Sequence, residues 1–436
     1  MGFLSIKDAQ ILTSWHNGIL KKTNLRIDES TGKIVEVADN LTEVEGESVI
    51  SLPGCIVAPG LVVGHHHLYS ALARGMAGPK KTPSNFIETL KYLWWVLDRA
   101  LDEDSVYHSA AAGLAGAARL GITGIVDHHA SPSFISGSLS TMAKAFEQFG
   151  MRGSLCYEVT DRNGPDEGRL GVEENRNFGF SYRNHALLRG AVGAHASFTI
   201  NDKTFDRIAE VCHELDLPLH IHVLEDISDR TESLNEFGMT PVARIQIRNL
   251  LRENDIIVHG VHLTDAEQAL LDDKKVFMLH NPRSNMNNRV GRANLEKGKW
   301  ALGTDGIDSD ILSEVRSCFF RGREDKVAIR FDAPLEFLRN SQRLLGSFFG
   351  ETLDVVGPGS MADLTILDYN PPTPLSGDNF AGHIIFGMES WAVRSTLVAG
   401  KWVMKDRKLV TVDEESVLAH SRESAAKMYR RMEELS

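Results

Sequence analysis

The sequence predicts an α/β fold: a (β/α)8 TIM-like barrel with a small β-sandwich domain built from both chain ends. Three observations predict it. Short apolar runs alternate with helical stretches from about residue 57 to 350. The flanking segments read instead as short strands and turns. Nearly every strand of the middle segment ends on a histidine or an acid. Repeated strand–helix–strand units with fully apolar strands imply a parallel sheet, and the repeat is long enough for eight units. A doubly wound open sheet is the competing arrangement, but no GxGxxG or P-loop opens a helix. A length of 436 residues suits one large domain with a smaller companion.

The elements follow in order. Residues 1–56 carry AQILT, NLRID, KIVEV and SVISL, which alternate and are separated by turn residues such as STGK. They form the first part of the sandwich. Residues 57–350 form the barrel. Its strands begin with the run CIVAPGLVVG and continue through ITGIVDHH, RGSLCYEV, RGAVGAHASF, LPLHIHVLE, DIIVHGVHL, KVFMLHN and KWALGTDG. Helices such as SVYHSAAAGLAGAARLG and TFDRIAEVCHELD lie between them. Residues 351–412 return to strands, GSMADLTILD and VRSTLVAGKWVMKDRKLV, and complete the sandwich. Residues 413–436 form an amphipathic helix opened by acids.

Composition narrows the function. The chain is 42% hydrophobic and 24% charged, a globular balance. The formal net charge of -12 argues against nucleic acid or an anionic membrane as partner, since both need a basic face. No run is apolar and long enough to span a bilayer, and the N-terminal stretch MGFLSIKDAQILTS lacks the pattern of a signal peptide. Cys55, Cys156, Cys212 and Cys318 form no CxxC pair, so reduced cysteines in a cytoplasmic protein are expected.

The chemistry lies at the strand ends. His65 and His67 end the first strand, Asp127 and His128 the second, and His195 the fourth. His220 and His222 end the fifth, His259 the sixth, His280 the seventh and Asp305 the eighth. In a barrel these ends converge on one face, where active sites are built. Side chains alternate along a strand, so His65 and His67 point one way and His66 the other. Such a pair can grip one metal ion, and a further histidine with Asp305 leaves one position open for water. HIHVLED offers His220 and His222 as ligands and Glu225 as a proton carrier. Taken singly, Glu225 is an ordinary loop acid and Asp305 an ordinary turn acid. Their company gives them weight.

In order, PGLVVGHHH, HIHVLE, VHGVHL, HNPRSN and LGTDG resemble the amidohydrolase superfamily, in its aminohydrolase and chlorohydrolase branch. More narrowly, LKYLWWVLDRALDED, SNMNNRVG and NFAGHIIFGMES look like the SsnA-type aminohydrolases. The resemblance implies a single Zn2+, with Fe2+ as the alternative, held by His65, His67, His222 and Asp305. It implies Glu225 as proton shuttle, His259 as catalytic histidine, Asp305 as a second proton-handling acid, and His195 as a substrate contact. It also implies a homo-oligomer. Binuclear relatives carry a bridging lysine on the fourth strand; RGAVGAHASF has none, which favours one metal. Asn287, Asn288 and Arg289 replace the usual apolar and glycine positions and are candidate substrate contacts for a polar ligand. Trp94 and Trp95 offer flat faces to a planar ring.

The expected activity is hydrolytic deamination of an amino-substituted N-heterocycle of the purine or pterin class. Ring-opening of a cyclic amide or purine-derived ureide would use the same residues. A non-catalytic metal-binding scaffold is the reading from another class, and it would need Glu225 or His259 to be turned away.

Overall fold

A computed structural model describes residues 2–325 and 329–435. The chain is α/β, and its parallel strands dominate the middle. Leu61–His66, Ile122–His129, Arg152–Tyr157 and the short Leu188–Gly190 form one parallel sheet. Val192–Ala196, Leu219–Val223, Ile256–His259, Phe277–His280 and Lys299–Leu302 form a second. Parallel bridges join the two sheets at both margins, Val159 with Ala194 and His66 with Asp305. Setting aside Leu188–Gly190, eight strands follow one another in chain order. They are buried on both faces, as near-continuous aliphatic runs require.

The helices between them start where the sequence supplies a capping side chain. The Asp102 carboxylate and Ser105 hydroxyl close a capping box on Glu103–Arg119, and Thr264 with Glu267 does the same for Asp265–Asp273. These side chains satisfy amides that a first helical turn leaves unpaired.

The two chain ends meet in one seven-stranded mixed sheet. Its order is Lys408–Leu409, Lys401–Lys405, Val393–Val398, Leu364–Asp368, Cys55–Pro59, Gln10–Leu12 and Leu20–Lys22. A four-stranded sheet holds Lys33–Ala38, Asn24–Asp28, Phe3–Lys7 and Ser48–Ser51. Leu4, Ile6, Leu25, Ile27 and Ile34 of the smaller sheet share a core with Val57, Leu364, Ile366 and Leu397 of the larger. The closing helix, Glu414–Leu435, packs on Glu103–Arg119, and its Tyr429 hydroxyl donates to Leu72 O at 2.7 Å.

One run that its apolar residues make look continuous divides at its Pro59–Gly60 pair. CIVAPGLVVG is two strands: Cys55–Pro59 belongs to the mixed sheet and Leu61–His66 to the parallel one. Gly60 is the joint. A Cβ on it would stand 2.2 Å from Thr123 Oγ1 and 2.4 Å from Thr123 Cγ2. The Thr123 side chain is short and buried, so it cannot swing clear. Arg152 ties the same region together, with Nε 2.7 Å and Nη2 3.0 Å from the Asp363 carboxylate in full burial. Gly60→Ala is expected to lower stability by about 1–3 kcal/mol through overpacking, measured by urea unfolding. A midpoint equal to wild type would show that the joint tolerates a side chain.

Candidate metal centre

The first strand brings His65 to its inner face, and His67 lies one residue past the strand end. His66 turns the other way and pairs through Nδ1 with Thr304 Oγ1 at 2.8 Å. The fifth strand adds His222, whose Nε2 is 3.3 Å from His65 Nε2. The eighth strand stops at Leu302, and Gly303 and Thr304 carry the chain to Asp305. Gly303 has to be glycine-like here, because a Cβ would sit 2.3 Å from Asn281 Oδ1 and 2.8 Å from His65 O. Asp305 takes φ +54°, and its amide donates to His65 O at 3.2 Å. The carboxylate thereby reaches back: Oδ1 is 3.0 Å from His67 Nε2 and 3.6 Å from His65 Nε2.

One ligand atom from each of His65, His67, His222 and Asp305 lies within 4.8 Å of the others. A tetrahedral site with bonds of about 2.0–2.1 Å has donor–donor edges of about 3.3–3.4 Å. The separations of 3.0, 3.3 and 3.6 Å bracket that value. The tautomers also fit. His67 Nδ1 is 2.6 Å from His128 O and His222 Nδ1 is 2.9 Å from His195 O. A carbonyl only accepts, so both protons sit on Nδ1 and both Nε2 lone pairs face the centre. His65 Nδ1 pairs with His220 Nε2 at 2.8 Å, which places His220 behind the centre. Burial holds His65 and His222 well below the ordinary imidazole range, and the neighbouring imidazoles add to it. His67 is the exception. Burial opposes its proton, but the bond to Asp305 and the charges of Asp305 and Glu158 lift it to about 9, so a cation here would take the place of a proton on His67 Nε2.

Two further groups stand beside these four. Leu224 takes φ +52° just before Glu225, and its amide donates to Asp229 Oδ2 at 2.7 Å, which fixes the turn. Glu225 Oε2 is 3.5 Å from His259 Nε2, and Oε1 accepts from Asn288 Nδ2 at 3.1 Å. Burial raises Glu225 above the usual carboxyl range; His259 acts against the shift and Asp305 with it. His259 also takes a positive φ, +71°, and gives its Nδ1 proton to Asn285 Oδ1 at 2.8 Å. That leaves His259 Nε2 facing Glu225 and, at 3.9 Å, Asp305 Oδ2.

His67, His222, Asp305 and Glu225 line a cleft of about 850 Å³, its open mouth included, while His65 and His259 are buried. Phe86, Leu90, Trp94 and Trp95 cover one side, on a segment that makes one π-helical turn over Leu90–Trp94. His195 lines the wall, its Nδ1 2.8 Å from Thr199 Oγ1. Asn287 and Asn288 reach the cleft; Arg289 does not, being exposed and outside the lining with φ +57°. His280 is buried away from the cleft, and Asp127 Oδ1 accepts from the Leu68 amide at 2.7 Å.

Sequence reasoning misses three wall residues. Arg162 Nη2 lies 3.3 Å from Glu158 Oε1 and 3.4 Å from Asp98 Oδ2, and its guanidinium stands 4.8 Å from the centre of the Trp95 ring. Glu158 Oε2 is 3.2 Å from His128 Nδ1. Burial pushes Asp98 up to about 7 in spite of Arg162. The signal for Glu158 is present in the sequence, since it directly follows the third strand. Asp98 and Arg162 come from unrelated segments and carry none.

Comparison with known proteins places the chain. The model of the Amidohydrolase family matches residues 56–403. A 5'-deoxyadenosine deaminase of Methanosphaera stadtmanae is 27% identical, with 97% of this chain and 98% of that protein covered. A 5-methylthioadenosine/S-adenosylhomocysteine deaminase of Desulfitobacterium hafniense is 27% identical over 84% of this chain and 85% of its own. Among solved structures, an adenosine deaminase from Xanthomonas campestris with bound zinc superposes with a TM-score of 0.84 at 22% identity, covering 98% of both chains. The extent of the family match and the full-length relatives together show that this chain belongs to the Amidohydrolase family.

Proposed function

We propose that the protein is a metal-dependent aminohydrolase that replaces the amino group of a purine-type heterocycle with oxygen and releases ammonia. The observation that carries this reading is the convergence of three imidazoles and one carboxylate beside Glu225 and His259, at the base of an aromatic-walled cleft. The relatives named as deaminases of adenosine-type compounds point to the purine class.

In this reading the two parallel sheets are one closed (β/α)8 barrel over residues 57–350, supported by the bridges at both margins. Residues 1–56 and 351–412 make one β-sandwich, supported by their shared core, and 413–436 is the closing helix. His65, His67, His222 and Asp305 hold one Zn2+, or Fe2+. Four buried, unbridged cysteines fit a reducing, cytoplasmic setting. No helix among the described residues is long and apolar enough to cross a membrane. Phe386 stands against both Phe320 and Phe331, and all three are exposed, an apolar patch that suits a second copy of the chain.

A divalent cation at this place supplies positive charge that acidifies water and polarises an electrophilic carbon. The protein's own groups do the rest. Glu225 takes a proton at Oε2 and returns it to the departing amine, and burial, which raises its pKa, favours holding that proton in between. His259, anchored by Asn285, faces the developing negative charge. Trp94 and Trp95 flank the place of a planar ring and, with Phe86 and Leu90, limit water, while Arg162 stands over the Trp95 ring. As the carbon–oxygen bond forms and the carbon–nitrogen bond breaks, the amine leaves as ammonia.

Mass spectrometry of a purine, pterin and cyclic-ureide panel after incubation with zinc-loaded enzyme tests the reaction. An amino group exchanged for oxygen, with ammonia released, is expected. A product that has only gained one water would replace deamination by ring-opening. His67→Ala is expected to lose bound metal, read by elemental analysis; full occupancy would remove His67 from the ligand set. Glu225→Gln is expected to keep the metal and lose roughly 10²–10⁴-fold in kcat. A variant with wild-type turnover would end the shuttle assignment.

A further inference from the structure

The short helix Pro282–Asn288 follows the seventh strand, and three of its side chains reach three different groups of the site. Ser284 Oγ donates to Asp305 Oδ2 at 2.5 Å. Asn285 Oδ1 accepts from His259 Nδ1 at 2.8 Å. Asn288 Nδ2 donates to Glu225 Oε1 at 3.1 Å. Ser284 and Asn288 are one helical turn apart and share a face, and Asn288 Nδ2 lies 3.5 Å from Ser284 Oγ.

Chemistry fixes the direction of the bond to Glu225. An ionised carboxylate only accepts, so the amide nitrogen of Asn288 must face it. Asn288 Oδ1 is then the acceptor for Asn287 Nδ2, at 3.2 Å. A carboxamide has no proton to lose near neutral pH. Glu225 Oε1 therefore accepts from Asn288 whether or not Glu225 carries a proton. With Oε1 engaged in this way, Oε2, 3.5 Å from His259 Nε2, is the oxygen left open to a proton.

We propose that Asn288 is a positioning residue whose carboxamide occupies Glu225 Oε1, so that Oε2 alone takes up and returns the proton. The proposal rests on the reading of Glu225 as proton shuttle. It gives Asn288, which also lines the cleft, a role different from substrate contact, because its donor is engaged by Glu225. A carboxylate with two equivalent oxygens would divide its proton between a productive and an unproductive side. Here one side is closed, and the rotamer is fixed at the same time.

Two variants test it. Asn288→Asp keeps the shape and puts an oxygen where the donor was; Asn288→Leu keeps most of the volume and removes both polar atoms. Each is assayed with 5'-deoxyadenosine by ammonia release, alongside zinc content and a crystal structure. Loss of the clamp is expected to lower kcat roughly 10–100-fold, the usual cost of removing such a supporting bond, with KM and zinc content unchanged. The crystal structures are expected to show Glu225 Oε2 turned from His259. Should one variant fail to fold, the other carries the test. Unchanged kcat, or Glu225 in its original rotamer in the folded variants, overturns the proposal. If wild type releases no ammonia from 5'-deoxyadenosine, deamination of that compound fails, while the Glu225 rotamer in the variant structures still decides the role of Asn288.

Discussion

Three imidazoles packed around one point in a water-poor pocket cannot all carry charge. Every other feature of the site follows from that constraint. Burial disfavours the imidazolium of His65 and His222, and each neighbouring imidazole disfavours it further. A neutral ring must still satisfy both nitrogens. The backbone carbonyls of His128 and His195 answer this on the outer side, by taking the Nδ1 protons of His67 and His222. The inner nitrogens are left facing one carboxylate, Asp305, which favours a proton on His67 Nε2 where a cation would otherwise sit. A pocket so arranged attracts a cation by its hydrogen-bonding pattern before any charge is counted.

The same constraint explains the backbone. Asp305, His259 and Leu224 all take positive φ, though none is glycine. Such conformations cost energy and persist where surrounding structure fixes them. Here the fixing bonds are visible: Asp305 N to His65 O, His259 Nδ1 to Asn285, and Leu224 N to Asp229. Each strained residue lies at or just beyond a strand end and sets the direction of a functional side chain. The helix Pro282–Asn288 then acts as a common template, because one short rigid element touches Asp305, His259 and Glu225.

Much of this was legible in the residues, for definite reasons. Strand side chains alternate with period two, so HHH resolves into an inward pair and an outward singleton without coordinates. His222 and Glu225 are tied by a fixed short spacing. The parts that were not legible depend on distance along the chain. The wall formed by Asp98, Glu158 and Arg162 draws on a cleft-covering helix, a strand end and a loop, and no spacing connects them. The NNR stretch looks uniformly polar, yet the helix stops after Asn288 and a left-handed, exposed Arg289 follows. The division at Pro59–Gly60 is marked by that pair, yet burial of both strands gives the flanking residues one continuous apolar pattern.

The strand Cys55–Pro59 has another consequence, for how the chain assembles. On one side it pairs with Gln10–Leu12; on the other it pairs residue by residue with Leu364–Asp368, across most of the chain's length. During synthesis its first partner is present at once and its second only after the parallel strands have been made. Contacts so far apart in sequence form late and slow the completion of a fold. Until then the strand exposes a row of unpaired amides and carbonyls, the kind of edge that recruits other chains. The C-terminal strands therefore serve as a latch for the nascent protein: a ribosome that stalls before them releases an adhesive product, however complete its metal centre.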